Sequence, residues 1–139
     1  MEENADLKIV IVVNANLGRG LAANRAAVLA TGLAANVAHM IGKNLRTKDG
    51  ITLLGFTQIP IPILSSQSET SFLELAKRSE QLGCKVIVFL TRAQGMKSYE
   101  EYTASVAQTN YADLDIDAVA IYGNKKLVTK ATGNLPSLK

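Results

Sequence analysis

The 139-residue chain has one cysteine, one histidine, no tryptophan and three prolines, and aromatic residues make up 5% of it. Each scarcity excludes something. Because Cys84 stands alone, no intrachain disulfide can form; the chain is expected to depend on its apolar core, and a reducing cytoplasm is its natural compartment. With His39 and Cys84 each the only residue of its kind, no His or Cys cluster exists for structural zinc. A Cys–His catalytic pair would have to join groups far apart in the chain. Cys84 immediately precedes an apolar run and reads as a small core residue. The uncharged stretch Ala26 to Ile41 contains Thr31, Gly32, Asn36 and His39, short of the roughly 20 apolar residues of a membrane span. A soluble protein with no membrane partner is expected. The amino end, MEENADL, is acidic where a secretory leader would be basic, and residues 1–7 read as a disordered tail.

What is present is a core. Hydrophobic residues make up 47% of the chain, enough for one domain over residues 8–139 that buries about two-thirds of its unfolded surface. The net charge is +3. No acidic residue follows Asp117, whereas Lys125, Lys126, Lys130 and Lys139 do, and Arg19, Arg25, Lys43, Arg46 and Lys48 punctuate the first fifty positions. Solubilising lysines are the simplest reading; convergence of the two sets would favour a phosphate or polyanion.

Strand and helix patterns alternate. Ile9 to Val13 is an uninterrupted β-branched run, as in a strand covered on both faces. Gly20 to Ile41 reads as a long helix with Leu29, Leu33, Val37 and Met40 at helical spacing, followed by a polar connection from Lys43 to Gly50. Ile51 to Phe56 and Ile59 to Leu64 are apolar extended pieces, and Pro60 and Pro62 make the second an edge strand or lining loop. Ser66 and Glu69 form a capping-box pattern opening a helix through Leu82, which Gly83 ends. Lys85 to Leu90 reads as a buried strand, Ser98 to Asn110 as a short amphipathic helix, and Ala118 to Tyr122 as the last strand. Gly123 and Asn124 make a turn, and Leu127 to Thr132 adds a final helical turn. This alternation predicts an α/β, three-layer fold: a mostly parallel or mixed central sheet of about four strands with helices on both faces.

Ligands of such folds sit beyond the carboxyl ends of the strands. Those ends carry Asn14 and Asn16, then Thr91, Arg92 and Gln94, then Asn124 and Lys125: donors without a carboxylate. Gly18, Gly20 and Ala23 satisfy G-x-G-x-x-[GA] between strand and helix, but no acidic residue falls between Leu33 and Arg46, where a dinucleotide site needs one. A tight turn whose amides hold another anion fits better. Asp113, Asp115 and Asp117 begin like a calcium loop, yet Ala118 and Asn124 stand where glycine and glutamate are required. Solvated turn carboxylates are expected there, and neither a metal nor a cofactor is.

KIVIVVNANL, GRGLAAN, AIYG and ATGNLPSL together resemble the pattern of type II peptidyl-tRNA hydrolases, whose opening strand, AAQ helix and terminal TG-x-L segment fall in this order. Over nearly its whole length, including AANRAAVLATGL, IPIPIL and SYEEY, the chain is more similar to an uncharacterised family, number two thousand in the domain-of-unknown-function series, with the same fold. The hydrolase comparison implies a catalytic set that this sequence lacks. Ala22, Ala23 and Asn24 match AAQ, but Ala27 stands for the histidine, Gly20 for the lysine, Asn16 for the first-strand aspartate and Thr91 for a second aspartate. General acid–base chemistry then has no obvious titrating group. The resemblance therefore implies a binding protein for a small polar or anionic ligand, its candidate residues Asn14, Asn16, Gly18, Arg19, Gly20, Asn24, Thr91 and Arg92. The alternative is a divergent hydrolase of peptidyl- or aminoacyl-tRNA or of a small ester, the one reading that brings RNA in as a partner. A self-association module using the IPIPIL edge to form a homo-oligomer is the third.

Overall fold

A computed structural model describes residues 6–66 and 71–139. The elements run β1 (Leu7–Asn14), α1 (Arg19–Asn36), β2 (Leu45–Arg46), β3 (Thr52–Leu53), β4 (Ile63–Ser66), α2 (Phe72–Gln81), β5 (Lys85–Leu90), α3 (Tyr99–Ala107), β6 (Ile116–Asn124) and α4 (Lys125–Thr132). The main sheet has the order β4-β1-β6-β5. Its strands are covered on both faces, which is why β1 and β6 read as continuous apolar runs rather than alternating ones. On one face Ile9, Ile11, Val13, Phe89, Ala118 and Ala120 pack against Ala22, Leu29 and Leu33 of α1. On the other, Val10, Val12, Val119 and Ile121 meet Phe72, Leu75 and Ala76 of α2 and Val128 of α4. Each such large side chain contributes about 1.5–3 kcal/mol on burial. Gly32 has a packing reason: a Cβ there would lie 3.1 Å from Ile87, so its absence lets α1 settle closely on β5.

The sheet is mixed, and in two of its three pairings antiparallel: β1 runs parallel to β4, whereas β6 is antiparallel to both β1 and β5. The expected sequence of parallel crossovers fails at the last step: α3, which buries no residue of its own and sets Tyr102 and Val106 near Val88 and Leu90 of β5, does not return the chain to the start of the sheet. The chain turns back at the end of the sheet where β5 finishes, so β6 enters from that end and runs the other way.

Several boundaries move. Leu7 belongs to β1, opposite Asn124, and not to a tail; residues 1–5 of the expected tail lie outside the described residues. Helix α1 stops at Asn36, where His39 turns the chain with φ 61°. Val37 and Met40 are nevertheless buried, which prolonged the apolar spacing past the true end. Ser66 closes β4 opposite Asn14, and Ser71 caps α2 by accepting from the Glu74 N–H at 3.2 Å; Glu69 of the expected capping box lies outside the described residues. The supposed polar connection contains β2, which pairs with β3. Asn124, expected in a turn, ends β6 and caps a full helix beginning at Lys125.

No helix among the described residues is long and apolar enough to cross a membrane. The outer edge of β4 is occupied: Ser65 donates to the Pro136 carbonyl at 2.8 Å, and Leu138 donates to that of Ile63 at 3.0 Å. The carboxyl-terminal segment thus covers this edge beside Ile63 and Ser65.

Candidate functional site

Reversing β6 changes which residues share the end of the sheet. Asn124 and Lys125 move to the opposite end, beside Leu7 and Asp6, and Asp115 and Asp117 take their place next to the carboxyl ends of β1, β4 and β5. Across this end Ser66 stands opposite Asn14, Ala118 stands opposite Val13 and Phe89, and Asp117 and Thr91 follow. The expectation of a site end without carboxylates is corrected accordingly, as is that of solvated turn aspartates at Asp115 and Asp117; Asp113 is exposed as expected.

The loop from β1 to α1 is built by Asn14. Its Oδ1 accepts from the Asn16 N–H at 2.8 Å, and its carbonyl accepts from the Leu17 N–H at 3.1 Å, a compact Asx turn. Gly18 is the N-cap of α1, at φ −62° and ψ 159°, with no side-chain cap and no acidic residue in the first turn. The first turn of a helix leaves N–H groups without intrahelical acceptors, and the helix dipole adds partial positive charge there. Neither Gly18 nor Gly20 has positive φ, and a Cβ at either position would meet nothing within 4 Å. No packing demand explains these glycines. They leave the amides bare, with Asn16, Arg19 and Asn24 exposed around them.

Beneath this loop lies a feature that sequence reasoning missed. Arg25 is 1% exposed; its Nη2 binds Asp117 Oδ2 at 3.0 Å and Gln94 Oε1 at 2.8 Å, its Nε binds Asp117 Oδ1 at 3.3 Å, and the guanidinium stacks 4.4 Å from the Phe89 ring centre. Nη1 has no hydrogen-bond partner among the described residues. The Thr91 hydroxyl completes the network, 2.9 Å from Asp117 Oδ2. The available signal was Arg25 itself, four residues before Leu29 and eight before Leu33 on the buried stripe of α1.

Of the eight candidates, Asn14, Asn16, Gly18, Arg19 and Gly20 share one loop, and Thr91 joins the same sheet end through Asp117. Asn24 is exposed beside Arg25, further along α1. Arg92 is engaged elsewhere: its Nε and backbone N–H both bind Asp115 at 2.7 Å, and Nη1 binds Thr109 Oγ1 at 2.7 Å and Ser105 Oγ at 3.1 Å. It fastens α3 to the start of β6. Since α3 buries no residue of its own, Arg92→Ala should raise amide exchange through Tyr99–Ala107 while leaving the central strands protected, a pattern that hydrogen-exchange mass spectrometry reads directly.

His39 follows the far end of α1, which at 18 residues is about 27 Å long. It cannot serve this site. Cys84 is buried, and burial pushes its thiol above the ordinary range, away from the thiolate that a nucleophile needs. Among the described residues no three His, Cys, Asp or Glu side chains group as a metal site.

Comparison with known proteins places this geometry. A family model described as "Protein of unknown function (DUF2000)" matches residues 7–139. The chain belongs to that family. DUF2000 membership thus covers every element from β1 to the carboxyl-terminal segment. No curated protein matches the chain. Among solved structures, that of Atu0240, a protein of unknown function from Agrobacterium tumefaciens strain C58, is similar with a TM-score of 0.86 at 17% identity, over 96% of this chain and 98% of that one. At that identity the likeness establishes a shared fold, which this DUF2000 chain keeps while most of its residues differ.

Proposed function

We propose that this protein binds a small polar or anionic ligand at the β1–α1 loop, on a type II peptidyl-tRNA hydrolase-like fold, and does not catalyse ester hydrolysis. The observation that carries the reading is the uncapped amino terminus of α1, bare at Gly18 and Gly20 for no packing reason and flanked by Asn14, Asn16 and Arg19, with Asn24 further along the helix. Helix amides of this kind recognise oxyanions. The hydrolase alternative has less support. The hydroxyl–carboxylate pair at this end of the sheet is Thr91 with Asp117, and the carboxylate oxygen that the hydroxyl faces also holds Arg25 at 3.0 Å. A base so engaged is ill placed to accept a proton.

Thermal unfolding in the presence of inorganic phosphate, sulfate and small carboxylates, alongside an assay of peptidyl-tRNA and small esters, separates the readings. Binding predicts stabilisation by one anion class, about 2.7 kcal/mol at a hundredfold excess over Kd, lost in Asn16→Ala and Arg19→Ala, with no turnover. Turnover abolished by Asn24→Ala or Thr91→Ala would establish the hydrolase instead. A mass that rises with protein concentration, with no response to anions, would favour self-association.

A further inference from the structure

At the other end of α1, residues 39–58 form an arm that stands apart from the main sheet. Its two strands, β2 and β3, pair with each other and with no strand of that sheet. The arm is nonetheless firmly made. Thr47 donates to the Ile51 carbonyl at 2.9 Å, Gly42 to that of Phe56 at 2.8 Å and Gln58 to that of Met40 at 2.8 Å, and Asn44 Oδ1 accepts from the Gly55 N–H at 2.9 Å. Gly55 is pressed so closely on the opposite limb that a Cβ would lie 2.7 Å from the Lys43 carbonyl oxygen and nearer still to that of Gly42.

This ordered ribbon holds apolar side chains in water. Ile41, Leu45, Ile51, Leu53, Leu54 and Phe56 are all exposed, Leu54 by 81% and Phe56 by 78%. Single exposed apolar residues need no explanation, but six lie on this one short arm, and four of them line a single groove, the kind of apolar concentration that marks an interaction surface. At the base of the arm Ile41, Leu45, Leu54 and Phe56 line a groove of about 580 Å3, together with Lys43 and Gln58. The arm carries Lys43, Arg46 and Lys48 against the single carboxylate of Asp49, which is already bound by the Thr47 hydroxyl at 2.6 Å.

We propose that this groove docks an acidic segment of a partner protein, one that sets aliphatic or aromatic anchors between aspartates or glutamates. Charge chooses among the occupants. A second copy of the chain would bring three cations against three, which opposes self-pairing. A bilayer surface would take up only the exposed tips of Leu54 and Phe56, whereas a segment of chain also fills the groove that they line. Single-stranded nucleic acid stacks on aromatic platforms, and the arm offers Phe56 among aliphatic neighbours. An acidic segment with apolar anchors answers both the apolar groove, which Lys43 lines, and the positive charge of the arm that carries it.

The test uses the full chain and a fluorescein-labelled twelve-residue peptide of alternating leucine and glutamate, with its leucine–lysine counterpart, oligouridine and phosphatidylglycerol vesicles as competitors for the assignment. The glutamate peptide should bind at least about tenfold more tightly than the lysine peptide, weaken with salt, and lose at least about tenfold in affinity with Leu54→Ser or Phe56→Ser. Both side chains are solvent-exposed, so the variants should melt where the parent does. Equal binding of the two peptides, binding of neither, binding confined to vesicles or oligouridine, or a dimer broken by Phe56→Ser would each overturn the proposal.

Discussion

Replacing Arg25 with alanine should cost about 3–5 kcal/mol of stability, the range for breaking one side of a buried ion pair, and lower the melting temperature by roughly 10–20 °C in a domain of this size. The truncation leaves Asp117 buried without its two guanidinium contacts and uncovers the face of Phe89. Asp117→Ala should be comparably damaging because it leaves a nearly inaccessible guanidinium whose Nη1 already has no partner among the described residues. The double variant Arg25→Met with Asp117→Val should recover much of the loss, since an apolar pair closer to the original volume avoids desolvating two charges. Urea unfolding of the parent, the two alanine variants and the double alanine variant gives the coupling. Single substitutions costing less than about 1 kcal/mol, the range of an exposed pair, would mean that the pair is solvated and holds nothing together.

The second large effect separates stability from binding. Gly18→Asp should leave the fold intact or stabilise it by a few tenths of a kcal/mol up to about 1, because its backbone is already extended, the added Cβ meets nothing, and aspartate is a better N-cap than glycine. The same carboxylate would occupy the α1 amides and repel an anionic ligand. Affinity for inorganic phosphate or a small carboxylate should therefore fall at least about tenfold, equivalent to 1.4 kcal/mol. Gly18→Asn offers the cap without the charge and should weaken binding less. Calorimetric titration beside thermal melts reads both quantities. A variant that binds as tightly as the parent would place the ligand away from the helix terminus.

Much of this architecture was legible in the sequence because it follows from local chemistry. The β-branched run after Lys8, the alanine-rich stripe of α1 and the apolar run after Cys84 each place an element within a few residues of its position. Strand direction was not legible. The segment between β5 and β6 reads as an ordinary amphipathic helix, and only the strand pairing reveals that β6 runs back against β5 and β1. That one reversal exchanged Asn124 and Lys125 for Asp115 and Asp117 at the site end. It also hid the ion pair, since Arg25 and Asp117 lie 92 positions apart and no spacing rule connects them. The glycine turn and Asn14 were visible from the start. What the sequence could not supply was the reason to look at Gly18 and Gly20 in particular: ordinary φ values and open space around both, which leave their backbone free for something other than folding.

The most direct test of the anion-site account is a nitrogen-15 amide titration of the full chain with inorganic phosphate and with small carboxylates. The account predicts saturable shifts centred on the amides of Arg19, Gly20 and Leu21, with weaker ones at Asn16 and Thr91, none at residues 42–56, and their disappearance in Gly18→Asp. Shifts that never saturate, that spread evenly over the basic surface, or that survive unchanged in Gly18→Asp would contradict it.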